Sequence, residues 1–435
     1  MRWLASLRPA QQLVLGFVLY AAVGWGALML SWSQQAATGW LDNLFNVVSA
    51  ISTTGLTTTS VSDSYTWLGE LVILVLFQLG GIGFMTLTSV MLVARGQPLS
   101  RKRLGVLHAS FALPRYFVMK HFVVQVVTYT LVCEAVGAGV LWWRFHALGT
   151  ERPVWSAVFH SVSAFATAGF SLNNSSLEAF AGDWIVNVTI GVLSYLGAIG
   201  FIVAQDVWYS VKLRERLITF TSKVILVMTG AVFVIGTVLL LFMEPSVRGL
   251  PWGDRLLACM FQAMTASTTA GFNTIPIGPM ARGALVVLMI AMLIGASPSG
   301  TGGGIKTTSV SALLGNLMSV LRGRDRAVWM GHEIPPARLH IAVAAASLYL
   351  IGLALGVLAL CVTERHEFLP LVFEAASAIG TVGLSMGITG ELTPAGKVIV
   401  IVLMFAGRCG PLTMGLALLS PVRTNGQPRQ DDLAV

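Results

Sequence analysis

The 435-residue chain is short of charge. Asp, Glu, Lys and Arg make up only 11% of it, where a soluble domain carries about a quarter. Too few charged side chains remain to cover a water-facing surface, which excludes a soluble globule. Cysteine is scarce too. Cys133, Cys259, Cys361 and Cys409 lie in or beside apolar segments and no C-x-x-C pair occurs. Packed thiols are expected, without a disulfide framework or a thiolate metal cluster. H-E-x-x-H and G-x-G-x-x-G are absent, and no nucleophile–base arrangement stands out, so no enzyme chemistry is expected. GGGIKTT at 302–308 comes closest to a phosphate loop, but Ile305 precedes Lys306 and the G-x-x-x-x-G-K-[ST] spacing fails. No nucleotide is expected on this chain.

What the chain has is apolar length: 55% hydrophobic residues and a mean hydropathy of +0.78. Apolar segments run on to the end, unlike a lone secretory signal. About 20 apolar residues cross a bilayer. Eight segments qualify, at roughly 11–33, 68–94, 120–143, 184–211, 222–243, 281–320, 338–362 and 396–420. A shorter semi-apolar segment of about 12 residues lies within each successive pair, enough for a half-crossing at about 1.5 Å per residue.

The net charge of +8 follows topology rather than a nucleic-acid surface, so no nucleic-acid partner is expected. Eighteen Lys and Arg residues fall at the termini and in alternate connections, in the stretches Arg95–Lys120, Lys212–Lys223 and Arg322–Arg338. The opposite connections hold seven. The basic side is expected to be cytoplasmic, with both termini there.

The half-crossings repeat. FNVVSAISTTGL (45–56), FHSVSAFATAGF (159–170), FQAMTASTTAGF (261–272) and FEAASAIGTVGL (373–384) all fit F-x-x-x-[ST]-A-x-x-T-x-G-[LF] without gaps. Their glycines are 114, 102 and 112 residues apart. The following span repeats as well: LGGIGF (79–84), LGAIGF (196–201), IGASPS (294–299) and AGRCGP (406–411). The expected fold is an all-α integral membrane protein. It has four tandem span–pore-helix–filter-loop–span repeats, eight transmembrane helices in all, around a pseudo-four-fold central pore. The repeats are read as 1–110, 111–216, 217–328 and 329–420, with a cytoplasmic tail at 421–435.

Irregular backbone survives at membrane depth only inside protein or along a water-filled path. Helix C-termini carry partial negative charge and favour a cation. Carbonyls of the Thr-x-Gly loops can replace an ion's hydration shell. The ion-facing candidates are therefore Thr53, Thr54 and Gly55; Thr167, Ala168 and Gly169; Thr269, Ala270 and Gly271; and Thr381, Val382 and Gly383. Asn46, His160, Gln262 and Glu374 follow the phenylalanine of each copy, a position that favours a structural or outer-mouth role.

At these residues the chain resembles the Ktr/Trk/HKT superfamily of potassium transporters, most closely its bacterial KtrB-type membrane subunits. The resemblance covers nearly the whole chain. Glycine in every filter copy goes with potassium preference in that family, while some plant relatives carry serine in the first. Gly55, Gly169, Gly271 and Gly383 thus imply potassium as the transported ion, with sodium stimulating or accompanying uptake. The resemblance further implies a bacterial cell (inner) membrane location, a homodimer, and regulation by a separate cytosolic ring of nucleotide-binding RCK subunits (KtrA-like).

The sixth span contains ASPSGTGGGIKTTS, 296–309. Glycine costs roughly 1 kcal/mol and proline about 3 in a helix interior, so a break is expected there. By resemblance 296–304 is an intramembrane gate loop under the filter, built on Ser297, Pro298, Gly300, Gly302, Gly303 and Gly304. Lys306 is placed either at the cytoplasmic surface or in gating. Arg408 is an intramembrane cation, functional by default; by resemblance it faces the pore beneath the filter. Asp206 and Glu134 are potential partners for these cations. Two other readings compete. A rocking-type secondary cation symporter with broken helices usually interrupts a pair of segments rather than four. An intramembrane enzyme needs a polar catalytic pair at one depth, which the sequence does not offer.

Overall fold

A computed structural model describes residues 9–83, 119–213 and 218–418. The basic residues between Arg95 and Arg115, Arg2, Arg8, Arg214, Arg216 and the 421–435 tail lie outside these, as do the expected boundaries at 110/111 and 216/217. The boundary at 328/329 falls inside a two-residue strand.

Nearly all regular secondary structure in the described chain is helical. The first repeat holds α1 (Pro9–Leu28), α2 (Trp40–Ile51), the single turn α3 (Val61–Ser64) and α4 (Trp67–Ile82). The second holds α5 (Met119–Ala147), α6 (Pro153–Phe165), α7 (Trp184–Ala198) and α8 (Phe201–Leu213). The third holds α9 (Phe220–Met243), α10 (Trp252–Thr268), α11 (Arg282–Leu293) and α12 (Thr307–Leu321). A small hairpin, β1 (Val328–Trp329) with β2 (His332–Glu333), leads to the fourth. That repeat holds α13 (Pro336–Thr363), α14 (Phe368–Gly380), α15 (Pro394–Cys409) and α16 (Pro411–Leu418).

Four helices are long and apolar enough to cross a membrane alone: Ala10–Leu28, Val123–Ala147, Phe220–Met243 and Pro336–Thr363. Each is the first helix of its repeat. Bare Val, Leu and Ile faces on them, such as Val136, Ile235, Leu355 and Val362, suit a lipid environment, where backbone groups must be satisfied within the helix.

The second crossing is broken in the second, third and fourth repeats, which corrects the reading of continuous spans at 184–211 and 396–420. Trp184–Ala198 and Phe201–Lys212 meet at 95°. The break sits on Gly200 (φ +88°), and Gly83 (φ +83°) and Gly410 (φ +81°) end α4 and α15 at the aligned position. Pro298 is aligned with them in the third repeat, beside Ser299 (φ +60°). Left-handed backbone ends a right-handed helix, and glycine adopts it without a Cβ clash. These second helices start cleanly where Thr66, Asp183 and Thr393 accept from Gly69, Val186 and Gly396 amides, each cap satisfying an otherwise orphaned donor.

Each second helix packs on the half-helix of the next repeat: α4 on α6, α7 on α10, α11 on α14, and α15 back on α2. Side chains tie two of these seams. Arg152 grips the buried Glu70 at 2.7 and 3.1 Å, with Trp155 Nε1 donating to it at 2.5 Å. Lys397 donates to Asp42 at 2.6 Å and closes the fourth repeat on the first.

Candidate ion pathway

The half-helices α2, α6, α10 and α14 end in the same way. Thr54, Ala168, Ala270 and Val382 donate their amides to the carbonyls of Ser49, Ser163, Thr265 and Ser377 at 2.8–2.9 Å. This six-to-one bond is the helix-ending Schellman pattern, which needs a left-handed residue. Thr53, Thr167, Thr269 and Thr381 supply it, with φ of 54°, 51°, 57° and 49°. The filter glycines follow at φ of 95°, 70°, 80° and 96°. The residue between each threonine and glycine is not in the positive region. Alternating the sign of φ over three residues turns successive carbonyls toward one side.

The four loops close a ring. A methyl placed on Gly55 would lie 2.9 Å from the Gly169 Cα; from Gly169 the neighbour is Gly271 at 3.1 Å; from Gly271 it is Gly383 at 3.2 Å; and from Gly383 it is Gly55 at 3.1 Å. Any side chain would fill the centre. On the side away from the 294–306 break between α11 and α12, the ring opens into a vestibule of about 500 Å³ lined by all four glycines. The partial negative ends of four half-helices converge on it, an arrangement that favours a cation.

Beneath the ring lies the break between α11 and α12. Thr301 is its tip: its hydroxyl is 3.0 Å from the Thr167 hydroxyl, and its carbonyl accepts from Thr53 Oγ1 at 3.4 Å. The Gly303 amide donates to Thr269 Oγ1 at 3.2 Å. A methyl on Gly303 would strike the Thr381 hydroxyl and stand 2.6 Å from the Gly380 carbonyl oxygen. The loop thus touches the threonine of every quarter. It also mends the broken second repeat: Ser297 and Thr301 amides donate to Ala198 and Gly197 carbonyls at 3.0 and 3.1 Å, and Phe201 donates to the Ser299 carbonyl at 3.3 Å.

Two cations hold this loop. Lys306 Nζ donates to the Gly302 carbonyl at 2.6 Å. Arg408 donates to the Thr301 carbonyl, to Thr53 Oγ1 at 2.9 Å, to the Gly80 carbonyl and to the Gly81 carbonyl at 3.4 Å. Neither belongs to an ion pair among the described residues. Asp206 and Glu134, expected as partners, are engaged elsewhere. Asp206 accepts from the Thr219 and Ser222 hydroxyls at 2.6 Å, and Glu134 from Gln78 at 2.9 Å. The alternative of Lys306 at the cytoplasmic surface gives way to its bond with the loop.

All twelve filter positions come together, as do Ser297, Pro298, Gly300, Gly302, Gly303, Gly304, Lys306 and Arg408 at the break. Two things escaped the sequence reading. Thr301 bonds the motif threonines of two quarters. The repeated [ST] of the motif braces the glycine in two quarters: the hydroxyls of Ser49 and Ser377 accept from the Gly55 and Gly383 amides at 3.1 and 3.0 Å. Its invariance across the four copies was the available signal.

A carbonyl-lined ring on the axis of four membrane repeats, with a loop closed beneath it, is the architecture of a multi-pass cation-transport protein. A family model described as TrkH, cation transport protein, matches residues 20–421. The Ktr system potassium uptake protein B of Bacillus subtilis is 35% identical, covering 96% of this chain and 94% of that one. Its namesake from Vibrio alginolyticus is 35% identical, covering 88% and 85%. The potassium/sodium uptake protein NtpJ of Enterococcus hirae is 31% identical, covering 95% and 93%. The crystal structure of the potassium transporter TrkH from Vibrio parahaemolyticus shares the fold, with a TM-score of 0.74 over 93% of this chain and 83% of that one, at 21% identity. The chain belongs to the TrkH family of cation transport proteins.

Proposed function

We propose that this chain is the membrane subunit of a potassium uptake system and conducts potassium through the four-fold ring. The supporting observation is the closed ring of Gly55, Gly169, Gly271 and Gly383 with the 294–306 break directly under it. Relatives named for potassium uptake align with nearly the full chain. A dehydrated potassium ion passes between the carbonyls of the threonine, middle residue and glycine of each quarter, which replace its water. Conduction needs no covalent step; the membrane gradient drives it.

Closure is the task of the loop. With Thr301 and Gly303 against the filter threonines, the path is blocked below the ring. Arg408 and Lys306 donate to loop carbonyls and place two positive charges on the route of a cation. Opening requires these bonds to break and the loop to withdraw. Its lack of bulky side chains allows that movement within the membrane.

The protein sits in the bacterial inner membrane with both termini in the cytoplasm, where its basic connections favour that side. It works as a homodimer under a cytosolic RCK-type ring that binds the regulatory nucleotide, since the chain carries no phosphate loop of its own. Sodium stimulates or accompanies uptake, in keeping with a relative named for both ions.

The test is growth and potassium uptake in a potassium-transport-deficient bacterium, with a cognate regulator, with and without sodium. Rescue at low external potassium is expected. Failure to rescue despite normal membrane expression would refute the reading.

A further inference from the structure

The four quarters of the filter are not held alike. In three of them the residue after the motif phenylalanine ties its own half-helix to the irregular exit segment leaving the filter. Asn46 donates to Thr59 Oγ1 at 2.9 Å and accepts from the Thr58 amide at 3.3 Å. His160 Nε2 lies 2.9 Å from Ser171 Oγ. Glu374 accepts from Ser385 Oγ at 2.9 Å and from Thr389 Oγ1. All three are fully buried.

The third quarter departs from this. Gln262 is just as buried, yet both its amide atoms lack a partner among the described residues. So do the hydroxyls of Thr265, the braced [ST] position elsewhere, and of Thr274 in the exit segment. The segment is held from the neighbouring repeat instead. Asn273, two residues past Gly271, donates its side-chain amide to Glu178 Oε1 at 2.8 Å and to the Ile275 carbonyl at 3.1 Å. Its backbone amide donates to Ser176 Oγ at 3.2 Å, and its carbonyl accepts from the Leu177 amide at 3.0 Å. Residues 176–178 belong to the outer loop of the second repeat. That loop is itself anchored, since the Ser176 carbonyl accepts from Asn173 Nδ2 at 3.1 Å and Ser171 Oγ at 3.4 Å.

We infer that Glu178 is a positioning residue for cation selection, holding the third filter segment in register from outside its own repeat. It is also the one charged side chain lining the outer vestibule among the described residues. Because its Oε1 is the acceptor for Asn273, bracing and charge can be separated. A glutamine keeps an oxygen acceptor and loses the charge; an alanine loses both. The inference rests on the filter reading, and it makes selectivity depend on a half-exposed loop that the outside solution reaches.

The experiment compares Glu178→Ala, Glu178→Gln and Gln262→Ala with the native chain in lipid nanodiscs and proteoliposomes. Two readouts are taken: the potassium-to-sodium flux ratio, and hydrogen–deuterium exchange of the 272–276 amides. Glu178→Ala is expected to lower the ratio about fivefold, the equivalent of one hydrogen bond, and to speed exchange at 272–276. Glu178→Gln and Gln262→Ala should stay within about twofold of native in both, since neither removes a bond to the exit segment. Ser176→Ala, a milder change, should move both readouts the same way as Glu178→Ala and serves if that variant does not fold. Native values in Glu178→Ala, or equal losses in Glu178→Gln, would overturn the brace. A large loss in Gln262→Ala would return it to the third half-helix. If the native chain shows no potassium preference the filter reading fails, while the exchange data still decide the brace.

Discussion

The sharpest perturbation of the closed state is a single methyl group, Gly303→Ala. Its Cβ would stand 2.6 Å from the Gly380 carbonyl oxygen and would also meet the Thr381 hydroxyl. The carbonyl belongs to the last turn of a buried half-helix, so it cannot swing aside as a flexible side chain would. Overpacking of this kind costs about 1–3 kcal/mol. Spent only in the closed state, that shifts the closed-to-open ratio by about 5- to 160-fold. The assay is the initial rate of rubidium tracer uptake into proteoliposomes without the regulatory subunit, normalised to monodisperse protein. Basal flux should rise by at least the lower figure. Gly139→Ala and Gly230→Ala are the controls, because a methyl there meets nothing within 4 Å. A Gly303→Ala protein that is well folded and transports at or below the native basal rate would refute the view that this loop closes the path.

Arg408→Gln removes charge-assisted bonds to the loop and the filter floor; one such bond is worth about 1.5–3 kcal/mol, so basal flux should rise about tenfold or more, and unaltered transport at normal expression would take Arg408 out of the mechanism. Adding Lys306→Met should give less than the product of the two single effects, measured in the same flux assay, because both side chains hold one loop. Gly55→Ser should relax potassium preference toward sodium in competitive uptake: Gly55 has φ of +95° and its new Cβ would lie 2.6 Å from the Ala168 carbonyl oxygen. Arg152→Ala should lower thermal stability by about 2 kcal/mol, the cost of stranding a buried carboxylate reduced because the guanidinium is half-exposed. The double change with Glu70→Gln should recover most of that loss in a melting assay.

The four-fold Thr-x-Gly ring was legible because it is written locally and four times over. Thr-x-Gly, the preceding [ST] and the half-helix length all sit within twelve residues, so no tertiary knowledge was needed to align them. The breaks at Gly200 and Gly410 were harder to read. A lone glycine is tolerated inside an apolar span, and nothing local distinguishes one that packs from one that turns the chain. What decides it is distant. At Gly200 the 294–306 loop supplies partners for the carbonyls of Gly197 and Ala198, about a hundred residues downstream in sequence. The role of Thr301 was obscured by the glycines around it, which explain the break without revealing which residue forms its tip. The sequence left the partners of Lys306 and Arg408 undecided for a related reason. A charge in the membrane suggests a carboxylate, whereas here the counterpart is a set of backbone carbonyls, which no side-chain pattern reports.

The cyclic packing has a consequence for chain connectivity. Lys397 and Asp42 join the last repeat to the first, and Gln11 in α1 donates to the Ala417 carbonyl in α16 at 3.3 Å. The two ends of the described chain are therefore neighbours, and the seam between the fourth and first repeats is bonded like the others. The order in which the repeats are threaded matters little to the closed figure they make. Such a molecule is suited to circular permutation: a linker across α16 and α1, with new ends opened at the Met330–Gly331 hairpin turn, would leave all four seams uncut. A ring assembled from separate subunits changes every copy when its gene changes. Here each quarter is its own stretch of one gene, free to differ alone, and the third quarter differs in its borrowed support.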